Sequence, residues 1–249
     1  MNKFFVDESA VGDGSITITG DDYNHIANVL RMKTGEQIYV STGGDREYLC
    51  ELTSFDEGYV SANIIDVYGS NRELPAKITL YQALPKGDKM ETIIQKAVEL
   101  GAYKVVAVIT DRVIVKLDDK KRDKKVARWN AISQSAAKQS KRNVIPEVSN
   151  PVRFKEAIKE ASDMGCAIIP YENAEGMDSS REIFETIAKN SEDKDIAVFI
   201  GPEGGFSDAE IDHASENGVK PITLGHRILR TETAGMTVLS ILMFMLDRD

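Results

Sequence analysis

The stretch IAVFIGPEGGFS, residues 196–207, is an unbroken apolar run that stops in a glycine loop and leads into a helix start. An apolar run this short, without polar alternation, fits a strand buried on both faces, as in a parallel sheet. Ser207 with Glu210 three positions on has the spacing of a capping box, and Asn217-Gly218 supplies the stop. Open α/β sheets bind ligands at such strand-to-helix junctions, because glycines let backbone groups approach closely. The loop matches neither the GxxxxGK[ST] phosphate loop nor the GxGxxG dinucleotide fingerprint. Glu203 within it would repel phosphate but suits hydroxyls, an ammonium or a sulfonium.

Outward from this stretch, strand signals recur at KITLYQAL (77–84), KVVAVIT (104–110), CAIIPY (166–171) and KPITLG (220–225). Between them lie helix signals. One has Asp88 as N-cap, Glu91 at the capping-box position and Gly101 as stop; another opens at Asn150-Pro151 and stops near Gly165. This alternation predicts an α/β domain with a parallel sheet covered on both faces. The last strand runs into LGHRILRTETAG (224–235), and two neighbouring strand ends with such loops would form one concave site. Arg227, Arg230 and Glu232 crowd charge beside an otherwise apolar element, an unfavourable placement unless they are paired or functional. At a third strand end, Tyr171 and Glu172 could hold an adenine or ribose.

The C-terminal run Ala234–Leu246 is apolar on every side and must be buried, in the core or against a second subunit in a dimer. It is shorter than the ~20 residues of a membrane span. Upstream of residue 72 the pattern is different: SITIT (15–19), EQIYVS (36–41), REYLCEL (46–52) and YVSANIIDVY (59–68) alternate in the manner of strands, with turns at Gly43-Gly44 and Asp56-Glu57-Gly58. One helix over Tyr23–Met32, capped by Asp21 or Asp22, interrupts a small β-barrel or sandwich. Turn formers at Gly69–Pro75 mark the boundary between domains 1–72 and 73–249.

The 249 residues carry a net charge of −9, which excludes a wholly basic, nucleic-acid-coating protein. Yet residues 112–142 hold eleven Lys or Arg against three acids, +8, leaving −17 for the rest of the chain. On a helix over 119–142, Lys121, Lys124, Arg128, Ser135, Lys138 and Arg142 share one face, while Val126, Trp129, Ala136 and Ala137 point away. Such a stripe can present cations to phosphates from a packed helix. Cys50 and Cys166 are far apart and His25, His213 and His226 are isolated, so neither a disulfide framework nor a metal site is expected. The N-terminus lacks the apolar core of a signal peptide, and a cytoplasmic protein without membrane association is expected. These features leave open a non-catalytic RNA-binding protein, while the missing GxGxxG and Glu203 in the glycine loop speak against a Rossmann-type nucleotide-cofactor enzyme.

Five segments, HIANVLRMKTG (25–35), ALPKGDKMETIIQKAVELG (83–101), WNAISQSAAKQSKRNVIPEV (129–148), IGPEGGFS (200–207) and LGHRILRTETA (224–234), resemble the RsmE family of small-subunit rRNA uridine N3-methyltransferases, of the SPOUT class. The resemblance implies an N-terminal PUA-like β-barrel that binds RNA, followed by a SPOUT α/β-knot methyltransferase domain threaded as a trefoil knot. It implies methylation of N3 of a uridine in 16S rRNA, within the small ribosomal subunit, from S-adenosyl-L-methionine, by a homodimer formed through the knot. The cofactor cradle carried over comprises Pro170, Tyr171 and Glu172; Gly201, Glu203 and Gly204; and Leu224, Gly225, Ile228, Leu229 and Ala234. Arg230 is then the candidate to stabilise the developing uracil anion and Glu232 the candidate base, with His25, Arg31, Lys86, Arg112, Lys138 and Arg142 as RNA contacts. Two positions depart from the family pattern: Val113 stands where a serine is common, and Lys138 where a glutamate is frequent. Both fall among RNA contacts and outside the cradle.

Overall fold

The computed structural model describes residues 1–69, 71–113, 119–174, 176–190 and 194–247. Ser70 of the boundary stretch and residues 114–118 of the basic run lie outside the described residues. The chain forms two compact units, Met1–Glu73 with Ala137–Ile145, and Leu74–Ala136 with Pro146–Asp249.

The first unit contains β1 (Lys3–Phe5), β2 (Ser15–Thr19), β3 (Gln37–Ser41), β4 (Arg46–Asp56) and β5 (Tyr59–Gly69), in the sheet order β1-β3-β4-β5-β2. β1 runs parallel to β3, and the other pairs are antiparallel. Alternate residues point to one face of a strand, so the inward sets Ile16/Ile18, Ile38/Val40, Tyr48/Cys50/Leu52 and Val60/Ala62 meet in one core with Phe4 and Ile26. Gathering all five strands around a single core requires the sheet to curl.

The helix expected over Tyr23–Met32 begins earlier, as α1 (Gly20–Asn24), and continues in wider π-type turns over His25–Val29. Asp22 does not cap it. The side chain is buried, accepts from the Phe5 N–H at 3.3 Å and pairs with the Lys138 ammonium. A buried carboxylate needs donors more than an exposed helix end needs a cap.

Ala137–Ile145 is built into this unit by polar contacts. Arg142, 4 % exposed, is ion-paired with Glu73, which also accepts from the backbone N–H of Asn143 at 2.8 Å and of Val144 at 3.1 Å. Lys3 Nζ donates to Asn143 Oδ1 and to the Lys141 carbonyl, and lies 2.9 Å from Glu47 Oε1. Burial pulls the Lys3 ammonium below its ordinary value although the Glu47 hydrogen bond opposes the shift.

The second unit alternates strand and helix: β6 (Lys77–Ala83), α2 (Lys89–Glu99), β7 (Lys104–Ile109), α3 (Asp119–Gln139), β8 (Glu147–Arg153), α4 (Phe154–Ala161), β9 (Cys166–Pro170), α5 (Met177–Asn190), β10 (Asp195–Ile200), α6 (Asp208–Glu216), β11 (Lys220–Ile222) and α7 (Thr231–Leu246). The six strands are parallel in the order β11-β9-β10-β6-β7-β8, the α/β sheet expected from the alternating pattern. Tyr81 of β6 stacks on Phe199 of β10 with ring centroids 4.6 Å apart, and Phe154, Ile158 and Phe206 join the same buried cluster.

Four local expectations change. β11 pairs with β9, so the glycine-bearing ends of β10 and β11 are not neighbours; β9 separates them. Asn150-Pro151 lies inside β8, and α4 starts at Phe154 with the Arg153 N–H donating to Glu156 Oε2 at 3.0 Å. Asp88 makes no side-chain cap on α2, and Glu91 pairs with Arg128 instead of closing a capping box. Finally, α3 ends at Gln139, so Arg142 stands beyond it and inside the first unit.

The Ser207–Glu210 capping box forms as read, with Glu210 N–H donating to Ser207 Oγ and Ser207 N–H to Glu210 Oε2. Helix α7 buries Gly235, Val238, Leu239, Leu242 and Leu246 against α2, α5 and β10, while Phe244 is 85 % exposed. Among the described residues no helix is long and apolar enough to cross a membrane.

Candidate active site

The carboxyl ends of β10, β9 and β11 lie side by side in that order, and they carry the segments that begin at Gly201, Tyr171 and Thr223. All three carried-over parts of the cradle therefore fall on consecutive strand ends. Backbone shape explains the glycines at two of them. A Cβ on Gly201 would stand 3.2 Å from the Phe206 ring. Gly225 has φ +105° with open space around it, a conformation that side chains disfavour whatever the room. Tyr171 is tied to the neighbouring strand by its N–H to the Ile222 carbonyl at 3.0 Å, and its hydroxyl donates to Asp208 Oδ1 at 2.7 Å. That hydrogen bond is the main cause of its raised pKa.

On the other side of β10, β6 brings Lys86 and Lys89 to the same end of the sheet. Glu203 accepts from the Lys86 N–H at 3.1 Å and from Lys89 Nζ at 2.8 Å. Partial burial pushes this carboxyl up, but hydrogen bonds from Lys89 and from the Glu203 and Lys86 backbones outweigh it, and the net shift is downward. Lys89 also lies 3.7 Å from Glu232 Oε2, a buried oxygen without a hydrogen-bond partner. Its ammonium is raised above the ordinary value, first by the Glu203 hydrogen bond. The sequence reading passes over Lys89. A signal was present: a cation in the first turn of a helix opposes the helix dipole, which suggests a nearby acid.

Arg230 is exposed and is the residue before α7, its carbonyl accepting from Ala234 N–H at 2.8 Å. Ile228 is 87 % exposed, Leu229 is half-buried, and Pro170 and Leu224 are partly buried. A cavity of about 280 Å³ lies between α5 and α7, lined by Leu224 together with Phe184, Ile241 and Met245.

The candidate RNA contacts divide. Arg31 and Lys86 are exposed, and His25 is half-buried with its ring edge-on to Phe4. Arg112 is exposed but donates to the Gly204 carbonyl at 2.5 Å, which places it on the glycine loop itself. Nearby, Ser207 Oγ donates to Asp111 Oδ2 at 3.0 Å. Lys138 and Arg142 are engaged by Asp22 and Glu73, so the exposed part of the stripe is Lys121, Lys124, Arg128 and Ser135, with Arg128 paired with Glu91. Trp129, Ala136 and Ala137 are buried behind it as expected. No group of three His, Cys, Asp or Glu that could hold a metal occurs among the described residues.

A parallel α/β sheet with glycine loops at its carboxyl edge, in a chain that also folds a small five-stranded unit, matches two families: an RNA methyltransferase domain over residues 72–243 and an RNA methyltransferase PUA domain over residues 18–65. Fold and site thus define an RNA methyltransferase with a PUA domain. The chain is 37 % identical to Ribosomal RNA small subunit methyltransferase E of Bacillus subtilis (strain 168), over 99 % of this chain and 98 % of that protein. It is 31 % identical to the solved Ribosomal RNA small subunit methyltransferase E of Neisseria gonorrhoeae bound to S-adenosyl methionine, with a TM-score of 0.83 over 98 % of this chain and 97 % of that one. A solved structure described as a hypothetical protein is 36 % identical, with a TM-score of 0.89 over 98 % of both chains. The chain belongs to the ribosomal RNA small subunit methyltransferase E family.

Proposed function

We propose that this protein transfers a methyl group from S-adenosyl-L-methionine to N3 of a uridine in 16S rRNA of the small ribosomal subunit. The observation that carries the reading is the placement of 170–172, 201–204 and 224–234 on three consecutive strand ends, with Arg230 and Glu232 at the start of α7. The donor's chemistry fits these residues. The bends at Gly201 and Gly225 open backbone to close approach, the exposed Glu172 suits a cation, and Leu224 opens on an apolar hollow. S-adenosylmethionine supplies an electrophilic methyl on a sulfonium.

The rest of the work is positioning and charge stabilisation. Uridine N3 must lose a proton to become a nucleophile. Arg230, exposed beside the cradle, donates charge-assisted hydrogen bonds to a uracil carbonyl or phosphate and stabilises the anion. Glu232, whose carboxylate lies 3.7 Å from Lys89 Nζ, is the candidate acceptor for the N3 proton. N3 is occupied in a Watson–Crick pair, so the target uridine is flipped or single-stranded. Arg31, His25, Lys86, Arg112, Lys121 and Lys124 are the proposed RNA contacts. Lys138 and Arg142 leave that set because their charges are met within the protein.

The trefoil threading, a homodimer formed through α7 and a cytoplasmic setting belong to the same proposal. Ile228 at 87 % and Phe244 at 85 % exposure support a second copy covering α7. The test is transfer of labelled methyl from S-adenosylmethionine to small subunits from a strain lacking the protein, with the product nucleoside identified by mass spectrometry. Absence of N3-methyluridine would overturn the reading in favour of a non-catalytic assembly factor.

A further inference from the structure

Gln82 sits in β6 one residue from its carboxyl end and is 0 % exposed. Its Nε2 donates to the Ala83 carbonyl at 2.9 Å and to Thr231 Oγ1 at 2.9 Å. Thr231 is buried, is the first residue of α7, and donates from Oγ1 to the Gly201 carbonyl at 2.6 Å. A hydroxyl has one proton and two lone pairs. With the glutamine N–H directed at a lone pair, the threonine proton is committed to Gly201, and the relay runs in one direction from β6 through α7 to the glycine loop.

The relay joins the points that the proposed chemistry must hold in register. Gly201 opens the loop whose Glu203 and Gly204 belong to the cradle, and Thr231 stands between Arg230 and Glu232. The Phe206 ring, 3.2 Å from where a Gly201 Cβ would be, limits the loop on its Cα side. The direction of the Gly201 carbonyl is then fixed by the threonine hydroxyl. Gln82 Oε1 is buried with no hydrogen-bond partner. A buried acceptor left unsatisfied disfavours the fold, so the glutamine's contribution is on its donor side. Packing alone would be served better by an apolar residue.

We propose that Gln82 and Thr231 are a positioning pair for methyl transfer: without touching donor or uridine, they set the offset between the glycine loop and the Arg230–Glu232 start of α7. The inference rests on the proposed methyltransferase reading. Thr231→Val keeps the shape and deletes the hydroxyl, and Thr231→Ser restores it. With thermal melting confirming a folded protein, Thr231→Val is expected to weaken S-adenosylmethionine binding by titration calorimetry about tenfold or more, on the order of one lost hydrogen bond. The single-turnover methylation rate at saturating donor should fall by a similar factor. RNA affinity should stay unchanged, and Thr231→Ser should return both donor affinity and rate to near wild type. In the protein without donor, amide hydrogen exchange over Gly201–Gly205 should quicken in Thr231→Val and not in Thr231→Ser. If Thr231→Val fails to fold, Gln82→Met, which removes the first bond of the relay together with the bond to the Ala83 carbonyl, should shift affinity and rate in the same direction. A folded Thr231→Val or Gln82→Met with wild-type donor affinity, rate and exchange overturns the positioning role. A wild-type protein that binds no S-adenosylmethionine overturns the methyltransferase reading, and the positioning role with it.

Discussion

The Lys89 ammonium lies 2.8 Å from Glu203 Oε1 and joins the first turn of α2 to the glycine loop after β10. Both groups are shifted toward their charged forms, Glu203 downward and Lys89 upward. A carboxyl depressed on folding contributes stability above its unfolded value, here near 4.5, and loses it as pH falls through the depressed folded value. A raised lysine contributes fully below 10.5 and loses its share as pH rises through the raised value. The melting-temperature gap between wild type and Glu203→Gln should therefore be flat through neutral pH and narrow at the acid end. A gap that stays constant down to strongly acidic pH would show that the ion pair does not set it.

Gly225 has φ +105° with no atom within 4 Å of a would-be Cβ. Replacement by alanine should thus cost backbone strain and no collision, roughly 1–2 kcal/mol. In urea unfolding the midpoint should fall accordingly, and S-adenosylmethionine affinity should drop because the bend carries the cradle. An unchanged midpoint would mean that the loop relaxes to negative φ freely.

Arg142 offers a contrast between a cation that binds a ligand and one that holds the fold. It is buried on Glu73, and Glu73 also organises the backbone N–H groups of Asn143 and Val144. Arg142→Met leaves a partly buried carboxylate short of its counter-ion, a loss of about 3 kcal/mol at the lower end for broken buried pairs. Chemical denaturation should show that loss, while the salt dependence of RNA binding by the remaining folded protein should be that of wild type.

The exposed cations of α3 should behave in the opposite way. Lys124→Glu is expected to leave stability within about 0.5 kcal/mol. It should weaken RNA binding at low salt and reduce the slope of log K against log salt by about 0.7–0.9 for each phosphate that is no longer neutralised. An unaltered slope would remove this face from the RNA-binding surface.

What could be read from the sequence was local. The Ser207–Glu210 box, the apolar strands and the glycine loops are set by neighbours within a few residues, and each appears where the spacing placed it. The reading failed where distant partners decide. The acids that take Lys138 and Arg142 off the basic stripe are Asp22, 116 positions away, and Glu73, 69 positions away. Strand order is equally non-local: nothing in KPITLG or CAIIPY says that β9 inserts between β10 and β11. Strand β8 tolerates Asn150 and Pro151 because it is an edge strand and both fall at an irregularity in its pairing to β7, which only the assembled sheet reveals. Lys89 was legible in principle, as a cation placed against a helix dipole, but its two acids become visible only when α2, the β10 loop and α7 meet.

Arg230 is the residue on which the chemistry turns. It is exposed beside the first turn of α7, and only its backbone carbonyl takes part in the helix, accepting from the Ala234 N–H. Removal of the guanidinium should leave the fold and the donor cradle intact and delete charge stabilisation that matters as the uracil anion develops. An interaction made only in the transition state lowers the rate at saturation without altering ground-state affinity. Arg230→Ala should therefore bind S-adenosylmethionine within about threefold of wild type and lose roughly a hundredfold to a thousandfold in single-turnover methylation, the range for deleting one preorganised donor. Arg230→Lys should recover part of that loss, because the charge remains and the bidentate geometry does not. A full rate in Arg230→Ala would move the anion-stabilising role elsewhere on the α7 start.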